Sequence, residues 1–480
     1  MNVSLLIDGA EVKARSKTTF ERRDPVTGKV ATVAEAASPE DAKAACDAAA
    51  AAFPAWAEMG PNTRRTLLLK AAEMLAARTD DFVKLMIEEI GSTGPWASFN
   101  VMFAAMMLRE AACMTTQITG EVIPSDKPGN LAMAIRQPVG VCLGMAPWNA
   151  PVILGVRALA MPLACGNTVV LKASEICPAT HMLIGTILSE AGLPKGVLNV
   201  ITHSKTDAPK MVASLIAHPA VRRVNFTGST KTGRIIAELA ARHLKPVLLE
   251  LSGMAPLVIL DDANIDDAVD AACFGAYMNQ GQICMSTDRI IVDRKIADAF
   301  VGKLATKANA LPYGDPRGKV VLGSVVDLEA AERMDDLIKD ATAKGAKLVA
   351  GGKRNGSIMQ ASLLDGITPA MRIYSEESFG PVKSVIRVKD VDEAVRIAND
   401  TEYGLSAAVF GQDIQRALSV AKRIQTGICH INGPTVADEA QMPFGGTKGS
   451  GYGRFGGKAA IDEFTELRWI TIEGHQHYPF

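Results

Sequence analysis

Cys284 is the residue whose type and surroundings most clearly indicate chemical reactivity. It stands among small and polar residues in the segment Gln-Gly-Gln-Ile-Cys-Met-Ser at 280–286. The segment reads as a loop after a helix that ends near Tyr277. A cysteine thiolate is a strong nucleophile, and it needs a polar or electropositive site that a substrate can reach. Most of the other seven of the eight cysteines lie in apolar or alanine-rich surroundings, where cysteine is an inert small hydrophobe. Cys284 is therefore the candidate nucleophile, with inert packing as the alternative.

Glu250 is a carboxylate in an apolar, strand-like run, Val-Leu-Leu-Glu-Leu at 247–251. Such a run predicts burial, and burial raises the pKa of a carboxyl group toward the range of a general base. The alternative is a structural carboxylate that accepts hydrogen bonds from backbone N–H groups. Both interpretations are open on these residues alone.

Two glycine-rich segments are candidates for a phosphate site. Gly451–Gly456 matches G-x-G-x-x-G, but it follows residues that read as a loop, whereas the dinucleotide motif needs a strand before it and a helix after it. Residues 225–233, Asn-Phe-Thr-Gly-Ser-Thr-Lys-Thr-Gly, follow a strand-like run and open a helix that Ser229 or Thr230 could cap. The free N–H groups at such a helix start favour a phosphate, so the site is predicted here. A capped helix without a ligand is the alternative.

A lysine and a glutamate stand at the end of a predicted buried strand. The strand is Thr-Val-Val-Leu-Lys at 168–172, and Glu175 follows it closely. In a doubly wound sheet, ligands bind outside the carboxyl ends of the strands. Lys172 and Glu175 could therefore hold the hydroxyl groups of an adenosine ribose, and the carboxylate would repel a 2′-phosphate, which favours NAD over NADP. A solvated surface pair is the alternative.

The elements that must position these residues alternate between strands and helices from Pro138 onward. The predicted strands are 139–144, 168–172, 197–201, 221–226, 246–251, 256–260, 289–292, 381–386 and 406–410. One helix is predicted over 150–163 and another over 265–277. Buried strands that alternate with helices indicate parallel, doubly wound sheets. The sequence therefore predicts two α/β domains that join near Ser252 and Gly253.

Size and composition limit the remaining classes of protein. The chain of 480 residues suggests roughly two or three domains, and a net charge of −1 argues against a nucleic-acid surface. The cysteines have no paired spacing and no histidine cluster, so we expect no disulfide framework, no metal site and a cytoplasmic location. The uncharged stretch 137–156 is interrupted by Pro147 and Pro151, and the N-terminus carries no basic leader. We therefore expect no membrane span.

Together these motifs identify a family. The chain resembles the aldehyde dehydrogenase superfamily over essentially its whole length, and within it the bacterial vanillin and salicylaldehyde dehydrogenases. The segments that carry the family resemblance are Pro147–Asn149, Lys172–Glu175, Phe226–Gly233, Leu249–Leu251, Gln280–Cys284, Glu377–Pro381 and Pro443–Gly446. The narrower resemblance rests on Ala150–Arg157, His430–Val436, Asp438–Gln441 and Gly451–Gly456. The chain departs from the family's Leu-Glu-Leu-Gly-Gly-Lys pattern at Ser252 and Met254.

The resemblance implies an oxidation followed by a hydrolysis. The Cys284 thiolate would attack the carbonyl carbon of an aldehyde, and the oxyanion would accept hydrogen bonds from the Asn149 side chain and the Cys284 N–H. Hydride transfer to NAD, or to NADP, would leave a thioester that water activated by Glu250 would hydrolyse to the acid. A relative that passes the thioester to coenzyme A would not need Glu250. A catalytically idle binding protein on this fold is the other alternative.

The resemblance also assigns the cofactor contacts. The candidates are Trp148, Lys172, Ser174, Glu175, Phe226, Gly228, Ser229, Gly233, Leu251, Glu377 and Phe379. Lys172 and Glu175 would hold the adenosine ribose, and Ser229 would lie near the pyrophosphate. Glu377 and Phe379 would lie at the nicotinamide end.

The substrate implied by the resemblance is an aromatic aldehyde such as vanillin or salicylaldehyde. We expect the aldehyde tunnel to be lined by Trp96, Asn100, Phe103, Arg157, Tyr277 and Met285. Aromatic and thioether groups suit a benzaldehyde ring, and Arg157 could reach a ring hydroxyl. The alternatives are that these residues only fill the core, and that the substrate is an aliphatic aldehyde or a semialdehyde.

The implied fold is α/β and aldehyde dehydrogenase-like, with two doubly wound parallel-sheet domains and a small β arm. The expected parts are an NAD-binding domain at 1–116 and 138–251, a catalytic domain at 252–442, a returning segment at 443–463, and an arm at 117–137 with 464–480. The arm would pair with the sheet of another subunit and make a homodimer or a homotetramer.

Overall fold

The computed structural model describes residues 1–475 and 477–480, and two large sheets dominate it. The first sheet has eight strands in the order Gly451–Tyr452, Val247–Glu250, Val221–Thr227, Val141–Met145, Thr168–Lys172, Leu198–Ile201, Leu5–Ile7 and Ala10–Val12. Its inner strands pair in parallel, and antiparallel strands close both edges. The parallel arrangement agrees with the predicted α/β architecture.

The second large sheet has seven strands in the order Lys347–Ala350, Ser362–Asp365, Val382–Val388, Thr287–Asp293, Ala255–Ile259, Ser406–Phe410 and Ile428–Ile431. All of its neighbouring strands are parallel except at the edge formed by the first of these. The chain leaves the first sheet after Glu250 and enters the second at Ala255. The domain limits given above stay a prediction, and this change of sheet near Ser252 and Gly253 favours it.

A third sheet forms the predicted arm. Its strands are Thr465–Ile472, Leu131–Pro138 and Glu121–Ile123. Trp469 on this sheet is 79% exposed, and Val122 and Leu467 are exposed as well. The other strands are Asn2–Val3, Val30–Glu35 and Thr19–Arg23 in a small sheet, and the hairpin Arg354–Asn355 with Ile358–Met359.

The helices cover both faces of the large sheets. They are Pro39–Glu58, Pro61–Ala77, Thr79–Ile90, Gly94–Met114, Pro151–Arg157, Ala160–Ala164, Pro178–Glu190, Ala208–Ala217, Thr230–Arg242, Ile265–Tyr277, Ala297–Asn309, Leu328–Ala343, Val391–Asn399, Ile414–Ala421 and Ala459–Phe464. None of the helices in the described part of the chain combines the length and the apolar character that a membrane crossing requires.

The strand Thr168–Lys172 shows why its sequence is continuously apolar. Val169 and Leu171 pack into one apolar cluster, whereas Val170 packs into another on the opposite face of the sheet. Because successive side chains of a strand point to opposite faces, a strand covered on both sides has to be apolar at every position. Burial on both faces leaves only the strand ends free for polar chemistry.

The single helix predicted over 150–163 is wrong, because the structure contains two short helices, Pro151–Arg157 and Ala160–Ala164. Pro162 has no N–H group and cannot bond to the carbonyl of Ala158 as a continuous helix requires. That carbonyl instead accepts a hydrogen bond of 3.1 Å from the Asn225 side chain. The break turns the chain beside the strand that leads to the predicted phosphate site.

Asn167 joins three parts of the first domain. Its side-chain oxygen accepts hydrogen bonds from Val139 N–H at 2.7 Å and Gly140 N–H at 3.1 Å. Its amide nitrogen donates to the carbonyls of Pro162 at 3.1 Å and Phe464 at 2.8 Å. The residue is fully buried, so water cannot replace these bonds.

We expect Asn167→Ala to lower the free energy of unfolding by about 3 kcal/mol, because it removes the partner of several buried backbone groups. Urea denaturation followed by circular dichroism measures the loss. Asn62→Ala, at an exposed helix position, is the matched control and should stay within about 0.5 kcal/mol of the parent protein. Equal unfolding midpoints for the two variants would contradict this role of Asn167.

Candidate active site

The carboxyl ends of adjacent parallel strands bring the predicted polar residues to one edge of the first sheet. Glu250 ends its strand directly beside Thr227, and Lys172 ends its strand beside Met145. The loop that follows Met145 carries Asn149. The sheet therefore brings Glu250, the Asn149 loop and Lys172 to one edge, where a doubly wound sheet binds its ligands.

The loop that carries Cys284 has an unusual backbone. Asn279 and Gln280 have φ angles of 49° and 56°, and Gly281 follows at 71°. Two consecutive non-glycine residues in the left-handed region are strained, and such strain persists only where surrounding bonds enforce it. The Gln280 side chain supplies such bonds by donating to Ser324 O at 2.9 Å and accepting from Gly323 N–H at 3.0 Å.

Further bonds hold the loop on both sides of the cysteine. Before it, the Gln282 side-chain oxygen accepts from Val326 N–H at 2.9 Å. After it, the Thr435 hydroxyl donates to Met285 O at 2.7 Å. Sequence reasoning missed these anchors, because their partners are far away along the chain. The only sequence signal for Thr435 was its place in His430–Val436, one of the segments that resemble the vanillin and salicylaldehyde dehydrogenases.

Cys284 and Glu250 face each other in a largely dehydrated site. Glu250 is 1% exposed, and neither of its carboxylate oxygens accepts a hydrogen bond from the described residues. Burial raises the pKa of Glu250 to about 7, against the opposing influence of the nearby Cys284 thiol and Arg157. Burial, followed by the charge of Glu250, raises the pKa of the Cys284 thiol well above its usual value. The geometry therefore favours the base over the structural carboxylate.

Asn149 is tied to the nucleophile loop in both directions. Its side-chain amide donates to Gln282 O at 3.0 Å, and its own carbonyl accepts from the Asn279 side chain at 2.9 Å. The Trp96 indole N–H donates to the same carbonyl at 3.3 Å. An amide nitrogen has two N–H groups, so the bond to Gln282 leaves one of them for an oxyanion. Asn149 and the loop that carries Cys284 are thus positioned as one unit.

The predicted phosphate turn forms as expected. Ser229 caps the helix Thr230–Arg242, and its hydroxyl accepts from Thr232 N–H at 3.3 Å. Thr230 instead donates to Gly449 O at 2.9 Å. Gly233 has no side chain because an added Cβ would lie 2.5 Å from Leu251. Leu251 thus packs directly under the helix start, while Phe226 is the second-last residue of the preceding strand and its ring fills the space beside Gly228.

The loop after Lys172 is fixed by a histidine that sequence reasoning missed. The Nδ1 of His181 accepts a hydrogen bond from Ser174 N–H at 3.0 Å, and its Nε2 lies 3.1 Å from Pro151 O. Burial lowers the pKa of His181 to about 3, so the ring is neutral and its Nε2–H donates to that carbonyl. Burial also lowers the pKa of Lys172, while neighbouring Glu175 opposes the shift. His181 thereby joins the ribose loop to the chain just beyond Asn149.

Glu377 and Phe379 lie where the two domains meet. The Glu377 carboxylate accepts from Gly253 N–H at 3.2 Å, and burial followed by the charge of Asp288 raises its pKa to about 8. The hydroxyl of Ser252 opposes that rise in pKa as a hydrogen-bond partner of the Glu377 carboxylate. Ser252, one of the two residues that depart from the family pattern, therefore contacts Glu377. Phe379 meets Trp148 edge to face, with 5.7 Å between ring centroids.

Three of the predicted substrate residues share one apolar cluster that Cys284 borders. They are Trp96, Phe103 and Met285. The ring of Phe99 stacks between the first two, at centroid distances of 5.5 Å and 5.7 Å. Asn100 donates to Trp96 O at 3.0 Å, and its side-chain oxygen has no partner among the described residues.

The other two predicted substrate residues behave differently. Arg157 forms a buried ion pair with Asp438, and its guanidinium lies 4.1 Å from the centre of the Phe444 ring. These three residues line one small surface pocket. The structure does not bring Tyr277 to this group, because the ring packs in the core of the second domain and its hydroxyl donates to Ser362 O at 3.2 Å.

No three side chains of His, Cys, Asp or Glu in residues 1–475 and 477–480 converge in a way that could hold a metal ion. The groups that the site does bring together are a thiol, carboxylates and an amide. Their arrangement allows a thiol to attack a carbonyl carbon beside an amide donor, with a buried base within the same crevice.

Comparisons with known proteins agree with this chemistry. A model of the aldehyde dehydrogenase family matches residues 12–470. The chain is 61% identical to a vanillin dehydrogenase from Pseudomonas fluorescens, with 100% of each chain covered. The structure of a salicylaldehyde dehydrogenase from Pseudomonas putida G7 complexed with salicylaldehyde has a TM-score of 0.98 at 51% identity, again over 100% of each chain. PnpE in complex with nicotinamide adenine dinucleotide has a TM-score of 0.94 at 35% identity and 98% coverage of each chain. The fold and the family that the motifs predicted are confirmed, and the chain belongs to the aldehyde dehydrogenase family.

Proposed function

We propose that the protein oxidises an aromatic aldehyde to the carboxylic acid with NAD as the hydride acceptor. The observation that carries the proposal is the buried Glu250 carboxylate, which has no hydrogen-bond partner among the described residues and influences the Cys284 thiol. Burying a carboxylate without hydrogen-bond partners lowers the stability of the protein, so its presence here indicates a functional role. Here the group that the carboxylate would help to hydrolyse is the thioester on the neighbouring Cys284.

The first stage is a covalent capture by Cys284. Its thiol releases a proton to solvent, and the thiolate sulfur forms a bond to the aldehyde carbon, which gives a thiohemiacetal oxyanion beside the Asn149 amide. The amide is already held by Gln282 O at 3.0 Å, so it stabilises the oxyanion without rearrangement. The C–H bond of the thiohemiacetal then breaks with its electron pair, and a thioester remains on Cys284.

The second stage is hydrolysis. Glu250 takes a proton from water, the hydroxide adds to the thioester carbon, and the carbon–sulfur bond breaks to release the acid and the Cys284 thiolate. Transfer of the acyl group to coenzyme A would not require a base that activates water. The presence of Glu250 therefore favours hydrolysis over acyl transfer. Cys284, Glu250 and Asn149 together also argue against an idle binding protein.

The residues present fit a dinucleotide. The first N–H groups of the helix Thr230–Arg242 have no partners within the helix, which suits a pyrophosphate. Lys172 and the carboxylates of Glu175 and Glu377 suit ribose hydroxyls at the two ends. A bound nicotinamide ring would supply the hydride acceptor. The Glu175 carboxylate would repel a 2′-phosphate, and this favours NAD over NADP.

An aromatic aldehyde is the substrate class that the pocket supports best. Trp96, Phe103 and Met285 offer aromatic and thioether surfaces in the apolar cluster that Cys284 borders. The vanillin and salicylaldehyde dehydrogenases named above add weight to this choice over an aliphatic aldehyde or a semialdehyde. We further propose a homodimer or homotetramer, because the arm carries an exposed Trp469 and Leu467. A cytoplasmic location fits the eight free cysteines.

Purified protein should form NADH with vanillin, salicylaldehyde and benzaldehyde, and Cys284→Ala should abolish this formation because no thiohemiacetal can form. Absorbance at the NADH band measures the rate for each aldehyde. Cys113→Ala, at an exposed cysteine far along the chain from the site, is the matched control and should keep the full rate. NADH formation by Cys284→Ala would refute the mechanism.

Steady-state turnover should fall as the pH drops through about 7, because burial raises the pKa of Glu250 to about 7 and the protonated acid cannot activate water. Glu250→Gln should slow turnover at least about a hundredfold and remove this limb of the pH profile. Stopped-flow measurements should still find a first burst of NADH, since the oxidation precedes hydrolysis. Slow turnover with the pH limb intact would assign the limb to another group.

Trp96→Ala should lower the ratio of kcat/KM for vanillin over that for an aliphatic aldehyde by about tenfold, because an aromatic contact of this size is lost. Initial rates with the two aldehydes give the ratio. Tyr277→Phe is the control, since its hydroxyl bonds to Ser362 O and lies outside the apolar cluster around Trp96. An unchanged ratio in the Trp96 variant would remove this residue from the substrate pocket.

A further inference from the structure

A buried ion pair lies under the loop that carries Glu377 and Phe379. The Nζ of Lys383 is 2.5 Å from Oδ1 of Asp288, and the side chains are 0% and 5% exposed. The two residues come from neighbouring parallel strands, Thr287–Asp293 and Val382–Val388. Burying such a pair gains little stability, because the lost hydration offsets the attraction between the charges. A pair of this kind calls for a role other than stability.

Ser378 connects the pair to the loop. Its hydroxyl donates to Asp288 Oδ1 at 2.9 Å and accepts from Lys383 Nζ at 3.3 Å. Ser378 itself is buried and stands between Glu377 and Phe379 in the chain. Its side chain therefore points toward the second large sheet, whereas the Glu377 carboxylate meets Gly253 N–H and the Phe379 ring meets Trp148.

The loop needs such an anchor because its backbone is strained. Phe379 has a φ of 43°, a left-handed conformation that costs a bulky residue free energy. Arg333 holds the loop from another side by donating to Glu377 O at 3.0 Å and to Ser378 O at 2.5 Å. Gly253 N–H binds the Glu377 carboxylate at 3.2 Å. Ser378 is the anchor that reaches the interior, and its direction is set by the ion pair.

We propose that Lys383 and Asp288 are positioning residues for the nicotinamide half of the cofactor. Lys383 fixes the Asp288 carboxylate, Asp288 fixes the Ser378 hydroxyl, and Ser378 fixes Glu377 and Phe379 on either side of it. The inference rests on the proposed function, because it takes Glu377 and Phe379 to be cofactor contacts. It adds residues that do not touch the cofactor and that the family motifs do not contain.

The charges of the pair also reach Glu377. Asp288 raises the pKa of that carboxyl and Lys383 lowers it, after the larger effect of burial. With Lys383 in place, the negative charge of Asp288 is balanced close to its source. Without it, Asp288 would oppose ionisation of the group that is to hold a ribose hydroxyl. The hydrogen bonds and the charges thus both indicate that Lys383 and Asp288 act on Glu377.

The test compares Lys383→Met and Ser378→Ala with the parent protein and with Lys347→Met, an exposed lysine on the edge strand of the same sheet. Calorimetric titration with NAD measures binding without turnover. Both variants should bind NAD about tenfold more weakly, the loss expected when one hydrogen-bonded anchor is misplaced. Hydrolysis of p-nitrophenyl acetate, which uses Cys284 and Glu250 but no hydride acceptor, should stay within about twofold of the parent rate.

Each result decides the matter. NAD binding that stays at the parent value in a folded variant overturns the proposal, and so does a parallel loss of ester hydrolysis, which would mean a general structural role. If Lys383→Met does not fold, Ser378→Ala decides alone, since it keeps the ion pair and removes only the link to the loop. A parent protein that makes no NADH from any aldehyde would instead overturn the proposed function.

Discussion

Around Cys284 the loops of the site touch through backbone atoms, and no side chain fits between them. A Cβ added to Gly253 would lie 2.2 Å from Cys284 O, and one added to Gly281 would lie 2.2 Å from Gly380 O. The join between the domains, the nucleophile loop and the loop of Glu377 are therefore packed against one another at their closest possible separation. A shift of one of these loops would therefore displace the other two.

The electrostatics of the site come from burial more than from charge pairing. Burial is the main reason why the pKa of Glu250 is about 7 and that of Glu377 about 8. The buried cations nearby are already engaged, Arg157 by Asp438 and Lys383 by Asp288. A free cation beside Glu250 would stabilise its charge and make it a weaker base. The protein thus keeps a costly carboxylate reactive, a case where function and stability oppose each other.

Features set by local chemistry could be predicted from the sequence. The strand Thr168–Lys172, the helix Thr230–Arg242 and its cap at Ser229 follow from apolar runs and a capping residue, and the structure has them at or within a residue of the expected places. Glu250 was singled out because a carboxylate in an apolar run is rare. Such signals need only neighbouring residues.

Features set by distant partners could not be predicted in this way. The bond between Arg157 and Asp438 joins residues 281 positions apart, and nothing in either segment indicates that the guanidinium is already engaged. The direction of Tyr277 was misjudged for the same reason, since its place near the nucleophile in sequence says nothing about the core that receives its ring. Pro162, by contrast, is a sequence signal for a helix break. The break was missed because the surrounding apolar run was interpreted as one continuous helix.

The residues that hold the Cys284 loop in place are synthesised after the cysteine itself, which sets an order for its folding. Ser324, which binds Gln280, lies 44 residues downstream, and Thr435, which binds Met285 O, lies 150 residues beyond its partner. During synthesis the cysteine leaves the ribosome long before the groups that force its loop into shape. The loop can therefore take its strained form only after Ser324 and Thr435 have been synthesised and have folded against it.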